Sequence, residues 1–215
     1  MDLSRLSDEL RGILDSKTEA RERGLASSRS AIRACGNAIR ALHRLELDEG
    51  TALVSEAQRK LDEARSALAG HPDMLHAGFV HDAEKEVAEA RITLALVTGD
   101  DFPSFEDLGV SAQAYLKGMA EAVGEARRHL LDLLRRGEFE RCEAMLASMD
   151  DIYNVLVSMD YPDGITFGLR RLTDVARSII ERTRGDFTTS VIQSSLRDTI
   201  KDHAELLKGA NSEPG

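Results

Sequence analysis

A chain of 215 residues with a formal net charge of −10 at pH 7 is long enough to bury a substantial core, yet too acidic to attract polyanions by its overall charge. Charged residues make up 31% and aromatics only 4%, with no Trp and 4 Pro, a balance that favours a helix-rich protein over a sandwich or barrel. Cys35 and Cys142 are too few and too far apart for a disulfide framework or a thiolate metal site, and read as reduced, buried thiols. The charged N-terminus has no apolar signal core and no window reaches bilayer-spanning length, so the expectation is a cytoplasmic protein with no membrane partner.

Apolar residues recur at alternating three- and four-residue steps, which predicts long packed helices throughout. Leu3, Leu6, Leu10 and Ile13 open the first, and Ile32, Cys35, Ile39 and Leu42 close it. Its polar middle, Asp15 to Arg23, either faces solvent or marks a break near Gly24. Val54, Ala57, Leu61, Ala64 and Leu68 make the second, stopped by Gly70-His71-Pro72. The third carries Val80, Ala83, Val87, Ala90, Leu94 and Val97 and ends at Gly99, before a connector from Asp100 to Glu106. Ser111 can cap the fourth, which runs through Tyr115, Met119, Val123, Ala126 and Leu130 to Gly137.

The fifth spans roughly Phe139 to Met159. The sixth uses Ile165, Leu169, Leu172, Ala176, Ile179 and Thr183, and Asp186 would cap a seventh ending near Gly209. No segment alternates with period two. The expected fold is all-α, a single-domain antiparallel bundle of about seven helices over residues 1–209, with a disordered tail at 210–215.

Two helices carry concentrated acid. Asp82, Glu86, Glu89 and Thr93 form one stripe, and Glu121, Glu125 and Asp132 another, with Arg128 among them. Like charges at these spacings destabilise a helix by a few tenths of a kcal/mol per pair unless neutralised. A hard cation such as Mg²⁺ or Mn²⁺ would neutralise them and lower the pKa of a bound water, which could then attack a phosphodiester. The competing reading is a solvated polar face, with Lys85, Arg91, Arg127 and Arg128 as local partners. A di-iron bundle would need Glu-x-x-His pairs, which are missing, since Glu125 and His129 are separated by one helical step too many. Walker, G-x-G-x-x-G, H-E-x-x-H and G-x-S-x-G motifs are also missing.

Basic residues lie in local clusters. Arg170, Arg177 and Arg184 make a ridge on the sixth predicted helix, and Arg127, Arg128, Arg135 and Arg136 sit on the fourth. They can contact phosphate without reading sequence, or pair internally, as Arg177 can with Glu181. Arg127 and Arg128, next to the acidic set, are the stronger candidates for RNA contact. So few aromatics favour backbone and shape recognition over base stacking.

Three segments resemble the translin/Trax family. Lys85-Glu86-Val87-Ala88-Glu89-Ala90 is similar to the Glu-x-x-Glu-Ala segment of Trax, and Tyr115-Leu116-Lys117-Gly118 through Glu125 to its Tyr-Leu-x-Gly segment. Pro162-Asp163-Gly164-Ile165-Thr166-Phe167-Gly168, running on to Asp186, resembles the family's C-terminal helices. The resemblance implies a Mg²⁺-dependent ribonuclease centre at Glu86, Glu89 and Glu121, where Trax has Asp at the last, with Glu125 as an added metal ligand. It places His76, His81 and Phe79 near the start of the third helix, where the family has RNA-contacting residues, beside the candidates Arg127, Arg128, Arg170 and Arg177 that charge clustering gives. It further implies a hollow homo-oligomer of about eight subunits with the acidic faces inside, acting on RNA. A translin-like protein that binds single-stranded RNA or DNA without cutting is the alternative, and a purely structural helical oligomer a third.

Overall fold

The computed structural model describes residues 3–210 and contains helices with no strand among them. Six long helices are α1 (Leu3–His43), α2 (Leu47–Leu68), α4 (Gly78–Thr98), α5 (Ala112–Arg136), α6 (Phe139–Ser158) and α8 (Leu169–Ala210). Single turns, α3 (Pro72–Leu75) and α7 (Asp163–Thr166), sit in two of the connections. The expected tail falls beyond the described residues from 211 onward.

α1 and α2 form an antiparallel hairpin closed by small residues. A Cβ on Gly24 would stand 2.9 Å from Leu68 Cδ1, and one on Gly50 only 2.6 Å from Leu42 Cδ2. Gly24 is therefore a packing position inside an unbroken α1, and no break occurs there. The polar stretch around it is largely exposed. α5 and α6 make a second hairpin around Leu130, Leu133, Cys142, Leu146 and Met149.

α4 is the hub, packed against α1, α2 and α5. Its alanines, Ala83, Ala88, Ala90 and Ala95, are buried on several faces at once, which is what allows neighbours to approach from three sides. The connector after Gly99 folds back, so that α5 starts near the beginning of α4. Ser111 caps α5 by accepting from Ala114 N–H at 3.3 Å, as expected, and its own hydroxyl bonds Glu84 of α4 at 2.8 Å. Tyr115 anchors the returning connector by donating to Pro103 O at 2.7 Å.

The C-terminal part differs from the sequence expectation. Residues 169–210 form one helix of 42 residues, where two had been expected to meet at Asp186. Asp186 does not cap, because its carboxylate accepts from Arg127 Nη2 at 2.7 Å across to α5. The lone Gly185 costs a helix only about 1 kcal/mol, too little to break it. The helix also begins later than Ile165, because Phe167 and Gly168 take left-handed conformations, with φ 49° and 86°.

Gly118 fixes the spacing of α4 and α5. A Cβ there would lie 2.6 Å from Lys85 O and 2.7 Å from Glu89 N, both backbone atoms. Gly118→Ala should push the helices apart and destabilise the fold by about 1–3 kcal/mol, read as a lower midpoint in urea at unchanged m-value.

Candidate metal and nucleic-acid site

The close contact at Gly118 brings three carboxylates together. Glu86 and Glu89 reach from α4 and Glu121 from α5, each offering one oxygen within 4.8 Å of the others. Glu89 is the most buried, at 8% exposure. Burial and the neighbouring charges of Glu86 and Glu121 push its pKa up to about 8. Cys35 of α1 backs the cluster, and burial with the nearby Glu86 and Glu89 charges pushes its thiol up to about 12. That thiol is inert at neutral pH, in keeping with the expected buried cysteine.

One ammonium answers the acids. Lys85 Nζ donates to Glu121 Oε2 at 2.5 Å and lies 2.9 Å from Glu86 Oε1. Burial alone would lower the Lys85 pKa, but these two partners more than reverse it, so the ammonium is held firmly in its charged form.

Glu125 stands apart from this set. Its Oε2 lies 2.5 Å from Nε2 of His43, the last residue of α1. This contact outweighs burial and, with Arg128, lowers the Glu125 pKa. His43 is a site residue that local sequence patterns could not reveal, since 82 positions separate it from Glu125. His129, one turn beyond Glu125, is buried with Nε2 unbonded, and burial with Arg141 and Arg136 nearby lowers its pKa. It is a core histidine and does not join the acids.

The candidate basic residues separate into two groups. Arg127 is tied to α8, donating to Thr183 Oγ1 at 2.9 Å and to Asp186 Oδ2 at 2.7 Å. Arg177 pairs with Glu181 at 3.0 Å, and Arg184 grips Asp150 with 2.7 Å bonds. Arg128 and Arg170 are exposed, and Arg128 borders the acid set through Glu125. His76 is exposed too, after α3, on the rim of a cavity between α2, α4 and α5.

The raised Glu89 pKa has a stability consequence. Its acid form is favoured in the folded state, so its contribution is fully present below about pH 4.5 and is lost as pH climbs towards 8. In metal-free buffer, unfolding free energy should fall across this window. Glu89→Gln should flatten the fall and leave the variant the more stable of the two at pH 8, measured by denaturant titration at each pH.

No protein-family model matches the chain. An uncharacterized protein of Methanocaldococcus jannaschii is 30% identical over 199 residues, covering 90% of this chain and 88% of that protein. The crystal structure of AfC3PO is similar at TM-score 0.81 and 33% identity, over 88% of this chain and 98% of that one. AfC3PO in complex with duplex RNA gives the same TM-score and identity, over 97% of its chain. NeC3PO, at 21% identity and TM-score 0.71, covering 88% of this chain and 97% of its own, shares the fold. Sequence identity and architecture thus agree along nearly the whole chain, which belongs to the translin/Trax family of C3PO proteins.

Proposed function

We propose that the protein is a metal-dependent endoribonuclease that binds RNA at the α4–α5 face. The convergence of Glu86, Glu89 and Glu121 within 4.8 Å carries this reading. Three oxygen donors at that spacing suit Mg²⁺ or Mn²⁺, which prefer carboxylate and water. The buried, proton-holding Glu89 is the kind of group that a cation would return to its charged form. AfC3PO, 33% identical, has been solved with duplex RNA, which supports RNA as the ligand here.

When bound, a divalent ion supplies charge neutralisation at the phosphate and an acidified water. The chain's own residues do the rest. Glu86, Glu89 and Glu121 fix where that charge sits. Glu125, oriented by His43, can accept a hydrogen bond from an attacking water. Lys85 brings a second positive charge to the same wall, and exposed Arg128 can meet an adjoining phosphate.

A homo-oligomer fits the rest of the surface. Along the first turns of α1, Leu3, Leu10 and Ile13 are exposed at 70%, 52% and 63%. On α8, Ile192, Leu196 and Ile200 are exposed at about the same level, four residues apart. The sequence expectation had these α1 leucines packing within the bundle. Stripes of this kind mark protein interfaces, and a closed assembly of about eight copies would cover them while leaving the acidic faces inside.

Labelled single-stranded RNA should be cut in Mg²⁺ and survive in EDTA, and Glu89→Gln should reduce cutting to the EDTA level. Cutting that persists through both changes would overturn the metal–carboxylate mechanism. RNA or single-stranded DNA bound but never cut would make the protein a carrier. Arg128→Gln should weaken RNA binding evenly across sequences and lower the salt slope of log K by about 1, measured by titration at several salt concentrations.

A further inference from the structure

The turn at the head of the family-like C-terminal stretch has no role in the acid set, yet it is built under strain. Phe167 holds φ 49° and ψ 51°, a left-handed conformation unusual for a bulky side chain. Its N–H donates to Asp163 O at 2.7 Å, and the next residue, Gly168, donates to Asp163 Oδ1 at 2.8 Å. The turn then displays the ring instead of burying it, since Phe167 is 57% exposed. The ring stands edge-on to His81, with centroids 6.0 Å apart and planes at 70°.

Both rings line a cavity of about 730 Å³, together with Arg65, Leu75, Glu84 and Lys117. This cavity continues the acid face. Lys117, Glu121 and Glu125 follow one another at four-residue steps on α5, as His81, Lys85 and Glu89 do on α4. One such step advances about 6 Å along a helix, so the cavity lies one turn from the carboxylates.

Its chemistry is selective. Glu84 is taken up by Arg65 at 2.8 Å and by the Ser111 hydroxyl at 2.8 Å, leaving no free carboxylate on the wall. Lys117 makes no ion pair among the described residues, so the wall is left with uncompensated positive charge. Burial and the Lys117 charge lower the His81 pKa, and its buried Nε2 has no hydrogen-bond partner. An apolar slot lined by two aromatic rings with one free cation at its wall suits a planar heterocycle carried on a phosphate.

We propose that this cavity holds the base of one ribonucleotide whose strand crosses the neighbouring acid set, with Phe167 and His81 against the ring and Lys117 near a phosphate. The proposal rests on the reading of RNA as substrate. Stacking on Phe167 supplies affinity without sequence preference, since every base has a π-face.

The chain has no tryptophan, so Phe167→Trp places a sole indole at the slot. In EDTA, a short oligoadenylate should quench it, adenosine monophosphate should quench it more weakly, and ribose 5-phosphate should leave it unchanged. Phe167→Ala should weaken oligoadenylate binding about fivefold or more and raise KM with kcat retained, while Phe167→Tyr restores binding. Equal quenching by ribose 5-phosphate, or unaltered binding by Phe167→Ala, would overturn the proposal. So would adenosine monophosphate binding as tightly as the strand. A change of oligomeric state in Phe167→Ala, seen by sedimentation without loss of base affinity, would reassign the ring to an interface between copies and also overturn it. Phe167→Trp with Glu89 intact and the same variant carrying Glu89→Gln separate the two readings: quenching of both with cutting by the first alone supports both, and cutting by the first with no quenching of either overturns the base slot and leaves the nuclease standing.

Discussion

Three carboxylates and one ammonium share a half-buried space that exists because α5 has no side chain at Gly118. The contact at that glycine brings the two acid-bearing helices close enough for Glu121 to join Glu86 and Glu89. Lys85 offsets part of the resulting repulsion, and the proton on Glu89 offsets more. A set of like charges assembled at this expense of stability is typical of functional sites, where perturbed pKa values concentrate. The rest of the bundle serves this arrangement: α1 and α2 wall off α4 from behind, while α6 and α8 brace α5.

The bracing is specific. The sequence makes Arg127 a candidate for nucleic-acid contact, but its guanidinium ties α5 to α8 through Thr183 and Asp186. Its neighbour Arg128 points outward on the next step of the same helix and stays free to meet a phosphate. A single residue of offset thus divides structural from interactive charge. An acidic protein can handle a polyanion in this way, because only a short stretch of surface has to be attractive.

Much of this was legible before any coordinates. The three-and-four spacing of Val80 to Val97 and of Tyr115 to Leu133 located both acid-bearing helices, and the Ser111 cap and the stops at Gly99 and Gly137 are where local chemistry placed them. The pairing of Glu86 and Glu89 with Glu121 followed from family resemblance, since helical spacing alone cannot say which faces meet. What escaped the sequence was long-range. His43 reaches Glu125 only because the C-terminal end of α1 meets the middle of α5, and Asp186, a good capping residue in isolation, is bound by Arg127 across to α5. The first leucines of α1 carry a core-like pattern that the single chain leaves uncovered.

The unbroken α8 joins parts of the molecule that a break at Asp186 would have made independent. One continuous helix begins beside the strained turn bearing Phe167, is tied to α5 at Asp186, and carries an exposed apolar stretch beyond that tie. A displacement of the far end thus has a continuous helical path, with no break in its backbone, to both the aromatic turn and the acid-bearing helix.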